Sequence, residues 1–175
     1  MIKTQALIKA LKTDNRVLFS PDGDEILLGN AYFITRVDIK TLQETLIKAG
    51  YYLPDVERYE ENLTYRYIKG AGWYTPDAIP NMKQVWSTIN EATVPLTDTE
   101  LLTPYNKTYA AIYAHDNGYV GIDKRYLDIH SDLSNITVWY NDPVVGVKTP
   151  NGKWLTLIAI LKGPTANKYL AERKS

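Results

Sequence analysis

Apolar and polar residues follow one another along this chain in a pattern that occurs twice. Near the start, apolar residues at helical spacing precede three short strand-like runs, and the same succession returns in the last third. The first pattern predicts a helix over Thr4–Leu11 and strands over Arg16–Ser20, Glu25–Gly29 and Ala31–Val37. The second predicts a helix over Ile122–His130 and strands over Asn135–Tyr140, Val144–Lys148 and Trp154–Leu161. This repeat of a helix and a three-strand meander predicts a fold, but it does not indicate any catalytic or binding residue.

The stretch between the two patterns is less regular. It begins with a helix predicted over Asp38–Ala49, where Asp38 can cap the first turn and Ile39, Leu42, Leu46 and Ile47 form the apolar stripe. A strand is then predicted within Glu61–Ile68 and a short helix over Pro80–Ala92, and Thr97–Glu100 resembles a further helix start. We interpret residues 50–108, rich in proline and aromatics, as an insertion or lid between two framework units.

These elements predict a single α+β domain over residues 1–175. Residues 1–49 form the first αβββ unit with its extra helix, and residues 50–108 form the insertion. Residues 109–163 form the second unit, βαβββ, which opens with a strand over Tyr109–Ala114, and residues 164–175 form a tail.

Composition and charge exclude several classes of function. The chain has 175 residues and no cysteine, which excludes a disulfide framework, a thiol nucleophile and a thiolate zinc site. No run approaches the roughly 20 apolar residues that span a bilayer, and lysines interrupt the amino-terminal segment, so we expect no membrane association. With 20 basic and 20 acidic residues, any contact with DNA must depend on local placement of lysines.

The order strand, helix and three-strand meander is the repeating unit of the DNA sliding-clamp fold. The local sequence also resembles clamp-like proteins of bacteriophages over roughly half of the chain, outside residues 50–108. The segments that carry this resemblance are Ala6–Leu11, Gly29–Val37, Val120–Ile129, Pro143–Val147 and Trp154–Leu161.

The resemblance implies a single clamp-like domain built from two (β)αβββ units with an inserted aromatic-rich middle segment. It implies a non-enzymatic phage-type binding protein, without a cofactor, that acts on DNA or replication proteins in the cytoplasm of the host cell. Head-to-tail pairing of edge strands would give a homo-oligomer.

Basic residues on the two framework helices are the first candidate site. The resemblance implies that cations on these helices face double-stranded DNA and contact phosphates without reading bases. The residues in suitable positions are Lys3, Lys9, Lys12, Lys124 and Arg125. The alternative is an ordinary solvated helix surface.

An aromatic and basic stretch in the middle segment is the second candidate site. Aromatic faces can grip a peptide or stack on bases, with basic groups nearby for phosphate. The residues are Tyr65, Arg66, Tyr67, Lys69, Trp73 and Tyr74. The nearby acidic residues Glu57, Glu60 and Glu61 weaken the case for a nucleic acid and leave that for a protein partner intact. The alternative function is then a phage inhibitor of a host defence or replication protein. The alternative is a strand that packs its tyrosines on a small core.

Two histidines with neighbouring carboxylates form the third candidate, which would make the chain an enzyme. His115 with Asp116 and His130 with Asp132 could hold a metal or supply a general base. The alternative is a set of surface polar residues. No nucleophile motif or phosphate-binding glycine pattern accompanies them, so we expect no catalytic residue and no metal.

Overall fold

The computed structural model describes residues 2–53, 59–61, 63–74 and 81–161, with Tyr74 described by its backbone. The predicted tail over 164–175 and Pro80, the predicted helix start, lie outside the described residues. Within this part of the chain the protein is a mixed α+β fold, in which antiparallel strands form one open sheet and four α-helices accompany it.

The helices are short and the strands make up most of the fold. The α-helices are α1 (Thr4–Leu11), α2 (Ile39–Ala49), α3 (Met82–Ser87) and α4 (Lys124–Leu127), and a 3-10 turn covers Thr88–Glu91. The first five strands are β1 (Arg16–Asp22), β2 (Glu25–Gly29), β3 (Phe33–Val37), β4 (Tyr65–Ile68) and β5 (Gly72–Tyr74). The remaining strands are β6 (Val94–Tyr105), β7 (Thr108–His115), β8 (Gly118–Asp123), β9 (Thr137–Asn141), β10 (Val144–Lys148) and β11 (Trp154–Ala159).

The sheet joins the first and last parts of the chain at its middle. The strand order is β5-β4-β1-β2-β3-β11-β10-β9-β6-β7-β8, so β3 of the first meander pairs with β11 of the last. In that antiparallel pair Thr35 lies opposite Thr156 and Ile34 opposite Leu157. The helices α1 and α4 contact each other, and the amide of Lys3 donates to the carbonyl of Ile129 at 2.7 Å.

Each face of the sheet has its own apolar core, as the alternation along single strands requires. On one face Phe19, Leu28 and Ile158 join a large core with α1, α2 and α4. On the other, Leu27 and Leu157 join a smaller core with Trp86 of α3. Covering both faces explains why β2 and β11 read as nearly continuous apolar runs.

Local signals explain where α2 begins and ends. The Asp38 side chain accepts a hydrogen bond from the amide of Thr41 at 2.6 Å, as predicted for a helix cap. Gly50 adopts φ 87° and ends the helix in a left-handed conformation that favours glycine. The predicted stripe is partly wrong, since Ile39 and Ile47 are 47% and 68% exposed.

The structure corrects two other predicted elements. Thr97–Glu100 does not start a helix, because it lies within β6. There the Asp98 carboxylate accepts from the Glu100 amide at 2.8 Å, and Thr99 donates to the Ile112 carbonyl at 2.6 Å. The side chains of Asp98 and Thr99, which the sequence suggests as helix caps, therefore stabilise an irregularity in the pairing of β6 with β7. The second framework helix is shorter than predicted, because Ile122 and Asp123 extend β8.

Residues 50–108 contribute to the sheet at two places. β4 and β5 extend it beyond β1, while β6 pairs first with β9 and then with β7. The predicted helix over Pro80–Ala92 is α3 followed by the 3-10 turn. None of the helices within the described ranges has the length and apolar character needed to cross a membrane.

Candidate functional site

The first candidate site lies on the face formed by α1 and α4. In α1 the residues Leu7, Ala10 and Leu11 are fully buried, which leaves Lys9 and Lys12 on the exposed side. Lys3 is the residue just before the helix and is also exposed. The helix carries no acidic residue in its first turn, so its outer side presents positive charge alone.

The structure brings three of the five predicted basic residues together. Lys3, Lys9 and Arg125 line one shallow depression of about 290 Å³ between α1 and α4, together with Asp128. Lys12 and Lys124 belong to the same two helical segments but do not line this depression. The result is a small basic surface, defined by Lys3, Lys9, Lys12, Lys124 and Arg125, which we call the basic helix face.

Carboxylates neutralise the α4 half of the basic helix face. Lys124 forms an ion pair with Asp128, one helical turn away. Arg125 is paired with Asp123, whose side chain is only 3% exposed, and this hydrogen bond raises the pKa of the arginine. Within the described ranges no ion pair engages Lys3, Lys9 or Lys12, so these three lysines supply the uncompensated charge.

The second candidate site is largely an extension of the core. Tyr65 stacks on Phe19 with ring centroids 5.0 Å apart, and Trp73 meets the same ring edge-on at 4.9 Å. Tyr67 packs against Trp73 at 5.3 Å and against Tyr51 at 4.7 Å. These rings hold β4 and β5 on the sheet, and their contact surface is therefore only partly available to a partner.

The polar members of the second candidate site differ in exposure. Arg66 lies half-buried on β4 and Lys69 is exposed in the turn that follows. The side chain of Tyr74 lies outside the described residues. The exposure of these residues does not test their predicted role in partner binding, which stays a prediction.

An exposed apolar surface beside this segment escaped the sequence analysis. Tyr52 is 90% exposed and Ile47 68% exposed, and both line a depression of about 500 Å³ at the end of α2. The indole N–H of Trp73 donates to the carbonyl of Tyr52 and ties this surface to β5. The helical spacing of Ile47 predicts a buried side chain, but spacing does not reveal which side of a short helix is covered.

The two histidines lie in different environments. His130 is 2% exposed and its Nε2 lies 2.9 Å from the Thr156 hydroxyl, while burial lowers its pKa to about 4. His115 stacks on Tyr140 with ring centroids 5.1 Å apart. Asp132 accepts hydrogen bonds from Ser134 instead. No group of three or more metal-ligating side chains forms within the part of the chain that the structure describes.

Comparisons of this chain with protein-family models, with curated proteins and with solved structures find no match. The features that bear on its function are the basic helix face, the exposed surface around Tyr52 and the fold that positions them.

Proposed function

We propose that this chain is a non-enzymatic binding protein that holds double-stranded DNA against its basic helix face, in the manner of a sliding-clamp subunit. The observation that carries the proposal is the convergence of Lys3, Lys9 and Arg125 on one depression between α1 and α4. Cations at such a surface contact the phosphate backbone, which has the same charge in every sequence.

The topology supports the same proposal. A helix followed by a three-strand meander is present at both ends of the described chain, and the last strands of the two meanders pair with each other. Because α1 and α4 contact each other on one side of that sheet, a convex ligand such as a duplex would meet both helices. This is the arrangement that the resemblance to clamp-like phage proteins implies.

The number of unpaired cations predicts how the affinity for DNA depends on salt. Lys124 and Arg125 are already paired with carboxylates, so the three lysines of the α1 side are the cations that would displace counterions from DNA. Neutralising three phosphates gives a slope of about −3 for the logarithm of affinity against the logarithm of salt. We expect one copy to bind weakly and without sequence preference, and several copies on one duplex to bind more tightly.

Fluorescence anisotropy with a labelled duplex, measured over a range of salt concentrations, tests the proposal. The triple variant Lys3→Gln, Lys9→Gln, Lys12→Gln should lose most of the affinity and nearly all of the salt dependence. A matched triple variant, Lys40→Gln, Lys69→Gln, Lys107→Gln, removes the same charge from exposed lysines elsewhere and should bind like the unmodified chain. Equal affinity of the two triple variants would disprove a role for the basic helix face.

We infer a second candidate function, in which the chain captures a protein partner as a phage inhibitor of a host defence or replication protein. The exposure of Ile47 and Tyr52 beside the aromatic strands favours it, because large exposed apolar side chains that cluster are typical of interaction surfaces. In this function the sheet acts as a rigid support, and the basic helix face is an ordinary solvated surface.

A further inference from the structure

A cleft of about 410 Å³ lies next to the basic helix face, where the ends of β3, β10 and β11 meet β8 and α4. Volumes of this order are typical of sites for small organic ligands. The ion pair of Asp123 and Arg125 lines this cleft. The other polar residues of its lining are Thr13, Tyr32, Tyr105, Asn106 and Tyr126. Three tyrosines in one concave site provide planar apolar surface together with hydroxyl groups.

Backbone hydrogen bonds hold the walls of this cleft in place. The amide of Ala159 donates to the carbonyl of Tyr32 at 2.8 Å, and the amide of Ile160 donates to that of Pro143 at 3.0 Å. The amide of Leu161 donates to the carbonyl of Gly121 at 3.0 Å. The end of β11 is thereby tied to the residues that precede β3 and β10 and to β8, so a ligand would enter a preformed site.

Arg125 is fixed at the cleft by a buried carboxylate. Its Nε lies 3.0 and 3.2 Å from the two carboxylate oxygens of Asp123, and one Nη atom lies 2.5 Å from the second. Within the described ranges no hydrogen bond uses the other Nη atom, and the arginine side chain is 32% exposed. A guanidinium held on one edge in this way presents its remaining N–H groups to two oxygens of a bound acid.

The three tyrosines line the same cleft as this guanidinium. The ring of Tyr126 stacks on Phe33 at 5.0 Å, and its hydroxyl lies 3.1 Å from that of Thr13, which fixes its position. Tyr105 lines the same cleft as Arg125. Tyr32 is 47% exposed at the rim, so part of its ring is available for contact with a ligand.

We propose that this cleft binds a nucleoside monophosphate, with its phosphate on Arg125 and its base against Tyr105 and Tyr32. Aromatic side chains stack with any base, because every base has a flat π-face. Asp123 offsets the charge of Arg125, so the site suits one phosphate group better than a chain of two or three. The proposed site shares Arg125 with the basic helix face, but otherwise it uses the interior of the cleft and none of the lysines of α1.

Isothermal titration of the full chain with AMP, GMP, CMP and UMP tests this proposal, with the matching nucleosides and inorganic phosphate titrated in parallel. We expect at least one monophosphate to bind with a Kd below about 1 mM, and its nucleoside and free phosphate to bind at least about tenfold more weakly. That difference would show that the base and the phosphate are recognised together.

Variants locate the site. Tyr105→Leu and Arg125→Gln should each weaken binding of the monophosphate at least about tenfold. Because Arg125→Gln leaves the Asp123 carboxylate buried without its partner, the double variant Asp123→Asn, Arg125→Gln is titrated beside it, and circular dichroism confirms that each variant is folded. Lys153→Gln removes an exposed cation that does not line the cleft and should bind like the unmodified protein.

Three results would overturn the proposal. The first is the absence of binding by every monophosphate at about 1 mM. The second is equal affinity for inorganic phosphate and for the monophosphates, which would mean that no base is recognised. The third is a loss of monophosphate binding in Lys9→Gln while Tyr105→Leu still binds fully. That result would show that the phosphate binds in the depression between α1 and α4 and not in the cleft.

Discussion

Thr35 and Thr156 are direct cross-strand neighbours in the β3–β11 pair, and their hydroxyl oxygens lie 2.8 Å apart in the interior. Thr35 also donates to the carbonyl of Leu155 at 3.1 Å, while the Thr156 hydroxyl lies 2.9 Å from Nε2 of His130. Both threonines are fully buried. A continuous polar chain therefore crosses the contact between the first and last meanders.

Removing the middle of this polar chain should destabilise the fold. Thr156→Val keeps the shape of the side chain but takes a partner from both Thr35 and His130, so we expect a loss of about 1–3 kcal/mol in the free energy of unfolding. Urea denaturation measures it. Thr97→Val, at an exposed position on β6, should change stability by less than about 0.5 kcal/mol. Similar effects of both substitutions would argue against the polar chain.

Burial of His130 predicts a loss of stability in acid. Its pKa falls from 6.5 to about 4 in the folded protein, so between these values the unfolded chain binds the extra proton. The free energy of unfolding should therefore decrease by about 3 kcal/mol as the pH falls from 6.5 to 4, beyond the contribution of carboxylates. Denaturation in urea across this range measures the decrease.

The variant His130→Gln isolates that contribution. It should lower stability at neutral pH but show a shallower decline between pH 6.5 and 4 than the unmodified chain. The matched variant His115→Gln leaves His130 in place and should retain the full decline. A steep decline that persists in His130→Gln would assign the acid sensitivity to other groups.

The two-residue turn between β6 and β7 offers a stabilising substitution. Asn106 and Lys107 occupy it with φ values of 42° and 63°, a region in which a lysine side chain is strained. Lys107→Gly should raise the free energy of unfolding by roughly 0.5–1 kcal/mol, because relief of strain exceeds the entropy cost of glycine. Thermal unfolding followed by circular dichroism measures it.

A substitution to glycine within a helix is the control for Lys107→Gly, because there glycine is expected to destabilise the protein. Gln43→Gly, at an exposed position of α2, should lower stability by about 1 kcal/mol. If Lys107→Gly destabilised the protein to the same extent, the turn would not hold lysine in a strained conformation.

The second candidate function predicts which substitutions abolish capture of a host protein. Ile47→Ser with Tyr52→Ser should prevent capture without unfolding the chain, because both side chains are largely exposed. Substitution of Trp73 is less informative, since its ring packs on Phe19 and its removal also weakens the core. Pull-down from host lysate with mass spectrometry, using folded variants, measures the effect. A partner retained by the double variant must bind elsewhere.

The sequence predicts the framework well because its signals are local. The helix over Thr4–Leu11 and the strands over Glu25–Gly29 and Val144–Lys148 occur with the predicted bounds. Turn residues and apolar periodicity set these elements directly. The strand predicted over Trp154–Leu161 is β11, which ends two residues earlier, at Ala159.

The predictions that are wrong concern positions whose structure depends on contacts distant in sequence. Thr97–Glu100 has the composition of a helix start, but pairing with β7 places it in a strand. Ile47 has the spacing of a buried residue, yet nothing in the described chain covers it fully. The residue pattern indicates the local preference for a helix or a strand, whereas contacts with residues distant in sequence determine which side chains are buried.

The candidate site could be predicted only in part. The resemblance to clamp-like proteins implies the basic residues of the two framework helices, and the structure places Lys3, Lys9 and Arg125 at one depression. The pairing of Arg125 with Asp123 was missed, because an aspartate before a helix is interpreted first as its cap, and here it does both. The tyrosines of the cleft come from separate elements, and no spacing rule connects them.

The hydrogen bond from Leu161 to Gly121 has a consequence for self-association. It lies on the side of β8 that faces away from β7, so this border of the sheet is engaged within the chain at Gly121. Among the described strands β5 forms the opposite border. Copies that join through β5 alone meet as two-fold related pairs and stop there, because a closed ring needs two complementary borders on every member.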